Sequence, residues 1–177
     1  MGLRIALACL IGTASIAAGV VPVLAHKPVP ARKKTAPVAR KAPAVPLTPE
    51  QAFLARNRKL RGVIQTASGM QYRVVTPAAG PHPTDADVAL VNYEGKLVNG
   101  TTFDKSTQPV PMPVSAVVPG FSEALKLMAK GEKIRVWIPS SLAYGAEDQR
   151  DEQGKVVIPA NSTLVFDIEL VDLQTRS

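Results

Sequence analysis

The chain has 177 residues, room for one domain of ordinary size plus extensions, and a formal net charge of +7. That charge is uneven. Arg4 stands near the start, six lysines and arginines fall in residues 26–46 with no acid, and from residue 47 onward fourteen basic residues face fourteen acidic ones. The folded part is therefore neutral, which argues against a nucleic-acid-binding domain, whose basic stripe would lie on folded elements.

Residues 1–4 are a short basic start and 5–21 an Ala-rich apolar run, ending in Pro22-Val23-Leu24-Ala25. Val at −3 and Ala at −1 predict a secretory signal over 1–25, cleaved after Ala25. The alternative is a retained membrane anchor, but Gly and Ser dilute the run and a cleavage site follows it. Cys9 is the only cysteine and lies inside the signal, so the mature chain would hold no disulfide. A lipid on Cys9 is disfavoured, because the residues before it are too few for a working apolar region.

The next segment, 26–47, is rich in Pro, Ala, Lys and Arg and has no hydrophobic periodicity. Proline blocks helix and sheet, and like charges repel, so a disordered linker is expected. Its plain role is a spacer. A weak attraction to anionic membrane or cell wall is the sharper alternative.

Residues 48–66 read as a short helix and a lead-in strand. Thr48 caps, Pro49 suits the first helical position, and Gln51 completes a capping box. Helix is predicted on to Leu60, with Phe53, Leu54 and Leu60 as its apolar stripe and Gly62 as its stop. So short a helix would make a poor dimer arm, and a monomer is expected.

Strands are predicted over 63–66, 70–76, 88–97 and 101–104, the last two joined by an Asn99-Gly100 turn. Pro111 and Pro113 place 110–114 on a sheet edge. Phe121, Ala124, Leu125 and Met128 follow the i, i+3, i+4, i+7 pattern of one short helix. Residues 133–138 alternate with Ile134, Val136 and Ile138 inward, and Trp137 is expected to pack at the surface on the back of the sheet. A loop covers 139–159. The closing strand, 163–173, puts Leu164, Phe166, Ile168 and Leu170 on one face. Many strands around one short helix make an α+β domain, spanning 67–174.

Several chemistries are excluded. The only histidines are His26 and His82, so a histidine triad or metal site is not expected. The chain has no G-x-S-x-G, P-loop or GxGxxG motif. The acids of 147–152 read as solvated loop charge, since Arg150 interrupts them and EF-hand spacing is absent. No cofactor or metal is expected. What remains is an apolar and aromatic pocket, suited to binding. It also suits rotation about an Xaa-Pro bond, which needs neither nucleophile nor metal. That barrier is about 18–20 kcal/mol, because the planar amide has partial double-bond character. The twisted state is less dipolar, so a dry pocket favours it over the charge-separated planar form.

Five motifs carry a resemblance: Val91-Asn92-Tyr93-Glu94-Gly95, Gly100-Thr101-Thr102-Phe103-Asp104, Val117-Val118-Pro119-Gly120-Phe121, Leu142-Ala143-Tyr144-Gly145, and Ile158-Pro159 through Leu164-Val165-Phe166-Asp167. In this order and spacing, residues 68–173 resemble the FKBP-type peptidyl-prolyl cis-trans isomerases. The resemblance implies an antiparallel half-barrel sheet wrapped on one short helix. It implies catalytic roles for Tyr93, Phe103, Asp104, Tyr144 and Phe166, and substrate binding by Val117, Val118, Phe121 and Ile158. Phe121 would floor the prolyl ring and Phe103 and Phe166 would wall it. The Ile158 backbone N–H and the Tyr144 hydroxyl would hold substrate carbonyls. Asp104 would sit near the rotating carbonyl, tied to Tyr93.

The expected partners are proline-containing polypeptides, with macrolide inhibitors of the FKBP type as further ligands. Phe121 stands where many members have Trp, and Val110 and Met112 where aromatics are common, so that wall is softer. Export implies a periplasmic protein. The rival class is a binding module that keeps the pocket without the turnover.

Overall fold

The structure is a computed structural model that describes residues 47–174; the predicted signal and the predicted linker, except Leu47, lie outside the described residues. Eleven helices and strands follow in order: α1 (Pro49–Asn57), β1 (Ile64–Gln65), β2 (Gln71–Thr76), β3 (Val88–Leu97), β4 (Thr102–Lys105), β5 (Val110–Pro113), α2 (Pro119–Leu127), β6 (Lys133–Ile138), β7 (Gln149–Arg150), β8 (Val156–Ile158) and β9 (Leu164–Gln174). Seven strands form one antiparallel sheet in the order β1-β2-β6-β9-β3-β4, with β5 beside β3, and β7 and β8 form a separate hairpin. This is the expected α+β architecture.

The core lies between α2 and one face of the sheet. Alternation sends Ile134, Val136 and Ile138 of β6, and Leu164, Phe166, Ile168 and Leu170 of β9, to that face, each at most 1% exposed. From α2, Phe121, Ala124 and Leu125 meet them, with Met128 just beyond, all fully buried. Each large apolar side chain so buried contributes about 1.5–3 kcal/mol relative to exposure. Proline at the first turn presets the backbone of α2. Gly120 lets the helix approach β6, since a Cβ there would run into Ile138 Cγ2. On β5, Pro111 and Pro113 are tolerated because the strand pairs only with β3.

Three expectations are corrected. α1 has its capping box, but it stops at Asn57 rather than running to Leu60. Residues 59–63 fold as successive tight turns, and Leu60 is 55% exposed, so only Phe53 and Leu54 of the proposed stripe are shielded. The segment 139–159 is not simply a loop. It holds a 3-10 turn, Ser140–Leu142, and the β7–β8 hairpin, whose bend is built by Asp151 accepting from the Gln153 and Lys155 N–H groups.

The third correction concerns Trp137. It lies on the back of the sheet as expected, but it is only 6% exposed. The register places Gln71 and Val165 beside it, on the same face. α1 lies over this row. Asn57 Nδ2 donates to Gln71 Oε1 at 3.0 Å, and Gln71 Nε2 donates to the Leu54 carbonyl at 2.9 Å. Elsewhere the back face is a charged ladder, with Arg135 gripping Asp167 through two bonds of 2.7 and 2.8 Å. Replacing Asn57 by Ala leaves the buried Gln71 oxygen without its donor, a penalty of about 1–3 kcal/mol. Urea unfolding of Asn57→Ala is expected to show that loss with an unchanged m-value.

Candidate active site

Four elements converge at one end of the core. Tyr93 comes from β3, Phe103 and Asp104 from β4, Phe121 from α2, and Phe166 from β9. Three of the four ring pairs meet edge to face and one is tilted. Phe166 lies 5.2 Å from Phe121 at 84°, 5.6 Å from Phe103 at 89°, and 6.4 Å from Tyr93 at 54°. Tyr93 in turn meets Phe121 at 6.2 Å and 84°. Positive ring edges thus point at negative ring faces, an arrangement worth about 0.5–1.5 kcal/mol per pair beyond area burial.

Adjacent residues on a strand normally face opposite ways, yet Phe103 and Asp104 both serve this cluster. The reason is a bulge. Gly95 pairs with Asp104 and the next residue, Lys96, with Thr102, which leaves Phe103 as the extra residue of β4. The Tyr93 hydroxyl donates to Asp104 Oδ2 at 2.8 Å and holds the carboxylate against the rings.

Tyr144 follows the 3-10 turn and packs against the same core, beside the cluster. Its hydroxyl is buried and has no hydrogen-bond partner among the described residues. Burial first, and the charge of Asp104 second, push its pKa up to about 12. The phenol is therefore neutral at physiological pH and holds a proton to donate. Val117 and Val118 lead into α2 and Ile158 ends β8; all three are buried in the same cluster as Phe121 and Phe166. Apart from Asp104, which Tyr93 holds, each site residue expected from sequence belongs to the hydrophobic core or packs against it.

Gly95 is the member given no role by sequence. A Cβ built on it would stand 2.7 Å from Phe103 Cζ and 2.7 Å from Phe166 Cε1. Both phenyl rings rest on its bare Cα. A glycine inside a strand signals a close approach, but only the register names what approaches.

The chemistry available is narrow. The site has one carboxylate already bonded to a phenol, one phenol with a proton to give, and otherwise hydrocarbon. Nothing in it resembles a nucleophile with its base.

Residues 80–171 match the model described as FKBP-type peptidyl-prolyl cis-trans isomerase. The chain belongs to the FKBP-type peptidyl-prolyl cis-trans isomerases. Residues 23–74 match the model of the domain amino terminal to FKBP-type peptidyl-prolyl isomerase. Among relatives, the FKBP-type isomerase FkpA of Aeromonas hydrophila is 41% identical over 127 residues, 70% of this chain and 45% of that protein. The FKBP-type 22 kDa isomerase of Escherichia coli is 43% identical over 125 residues, 68% of this chain and 58% of that protein. The chain thus spans about half the length of the curated relatives it matches. The crystal structure of a peptidyl-prolyl isomerase from Pseudomonas syringae pv. tomato superposes with a TM-score of 0.66 at 37% identity, covering 71% of this chain and 91% of that one. That of FkpA from Escherichia coli gives 0.64 at 39%, covering 71% and 58%.

Gly95 and Tyr144 of this candidate site each give a measurable expectation. Gly95→Ala must displace Phe103 or Phe166, so their ring-current-shifted proton resonances are expected to move while far-ultraviolet circular dichroism stays native. Tyr144 gives the second. Its folded pKa is raised above that of an unfolded tyrosine, so the folded state keeps the proton longer. Its contribution to stability is full below pH ~10 and is lost as pH climbs towards 12. The stability of wild type relative to Tyr144→Phe is therefore expected to fall above pH ~10 and to be flat between about 6 and 9.

Proposed function

We propose that the aromatic cluster lines a water-poor hollow that accepts a prolyl ring and catalyses cis-trans rotation of the preceding amide. The observation that carries this reading is the joint placement of Phe103 and Phe121, each nearly at right angles to Phe166, with the Tyr93-bound Asp104 and the unpartnered Tyr144 hydroxyl. Phe121 is the floor. Phe103 and Phe166 are walls, and Val117 and Val118 close the helix side. The Ile158 N–H and the Tyr144 hydroxyl take carbonyls of the bound peptide, and Asp104 lies beside the carbonyl that rotates.

The mechanism follows from charge distribution. The planar amide is polar because its lone pair is delocalised on to oxygen; the twisted amide has lost that resonance. Hydrocarbon walls solvate the planar form worse than water does and penalise the twisted form less. Each ~1.4 kcal/mol of difference speeds rotation about tenfold. A proton held by Tyr144 further fixes the peptide so that only the Xaa-Pro bond turns. No cofactor or metal enters.

The substrates are proline-containing segments of other exported polypeptides, whose uncatalysed isomerisation takes tens of seconds or longer and limits folding. The basic proline-rich segment then serves as a spacer after removal of residues 1–25, in the periplasm. The protein acts as a monomer, and FKBP-type macrolides compete for the same hollow.

A protease-coupled assay on Xaa-Pro peptides tests the reading. Wild type is expected to accelerate isomerisation. Phe103→Ala is expected to lower kcat/KM about tenfold or more through the lost wall, and Asp104→Ala by a similar factor, both with native circular dichroism. Wild type without acceleration would leave a binding module in place of an enzyme. Unchanged turnover in both variants would remove the assigned site.

A further inference from the structure

α1 reaches the FKBP site through one side chain. Glu50, in its first turn, accepts a hydrogen bond from the Thr163 backbone N–H at 2.8 Å, a link between positions 113 apart. Thr163 is 1% exposed and immediately precedes β9, which carries Phe166. The turn it belongs to, residues 159–163, starts directly after Ile158. At Asn161 it is tied to the Gly145 carbonyl at 2.8 Å, next to Tyr144. One five-residue turn therefore joins the backbones that carry Ile158, Tyr144 and Phe166.

That turn needs support. Asn161 sits in the left-handed region at φ 59°, the one non-glycine residue to do so among the described residues. Asn tolerates this conformation better than other non-glycine residues, and it marks a sharp turn whose shape surrounding contacts hold. On the α1 side the turn borders a cleft of about 740 Å³, shared with Gln51, Leu54, Asn99 and Ser140. The Thr163 hydroxyl, buried beside that cleft, has no partner among the described residues. Two carboxylates restrain the turn by charge-assisted hydrogen bonds: Asp148 Oδ1 accepts from the Ala160 N–H at 2.8 Å, and on the α1 side Glu50 accepts from the Thr163 N–H. Glu50 lies outside the stretch 80–171 matched by the isomerase model and inside the stretch 23–74 matched by the amino-terminal one.

We infer that Glu50 is a positioning residue for the isomerase site, and that α1 splints its Ile158–Tyr144–Phe166 side through Thr163. The inference rests on the isomerase reading above. Walls that recognise a twisted amide must be held to a fraction of an ångström, and a misplacement of ~1 Å can cost about a hundredfold in rate.

The test compares wild type, Glu50→Ala and Glu50→Gln in the full chain, by isomerase kinetics, thermal unfolding and backbone amide resonances. Glu50→Ala is expected to lower kcat/KM about five- to tenfold, mainly in kcat. Its unfolding midpoint should move by only about 2–4 °C. The amide signals of Tyr144, Ile158 and Phe166 should shift together with that of Thr163. Glu50→Gln, whose amide oxygen accepts the same bond, should restore most of the rate. Wild-type kinetics in Glu50→Ala, or a loss without those shifts, or a loss that Gln does not rescue, would overturn the inference. If wild type itself shows no isomerase activity, the isomerase reading falls on its own. The amide resonances then decide the inference: shifts at the three site residues support it, and shifts confined to Thr163 end it.

Discussion

The ring of Phe166 is the contact on which the rest depends. It takes part in three of the four ring pairs, joining β9 to β3, β4 and α2 in one cluster. Because it is 1% exposed and meets two neighbours at nearly right angles, its position is set by shape as well as by burial. The same ring that closes the core is the wall of the proposed prolyl site. Core and site are therefore one structure, and a change that loosens the first disturbs the second.

Two departures from regular sheet geometry make that union possible. The β4 bulge turns Phe103 and Asp104 inward together, where strict alternation would have sent one of them to solvent. The bare Cα of Gly95 lets both phenyl rings settle against the strand. An aromatic wall and a carboxylate thus come from adjacent positions, and the Tyr93 hydroxyl fixes the carboxylate by a 2.8 Å bond. A site for twisting an amide needs that combination. Hydrocarbon excludes water, and a small number of held polar groups orient the peptide.

The back of the sheet solves a different problem. Part of it is a solvated ladder of paired charges, which contributes little to stability but keeps that face in water. The rest carries the buried Trp137 and, beside it, Gln71, whose amide α1 satisfies. The first turn of the same helix supplies Glu50 to the turn before β9. A short helix that burial alone would not stabilise is held by a few specific polar bonds.

Much of this molecule was legible in sequence because it follows local rules. The capping box of α1, the period of α2, the alternation of β6 and β9, the Asn99-Gly100 turn and the edge prolines of β5 each depend on neighbours a few residues away. The family motifs named the candidate site residues, because each motif keeps its chemistry together in a short stretch. Tertiary structure alone decided the burial of Trp137, the end of α1 at Asn57, the role of Gly95 and the Glu50–Thr163 bond. Each of these depends on which distant backbone lies opposite, through register and a one-residue bulge, and no local periodicity carries that information.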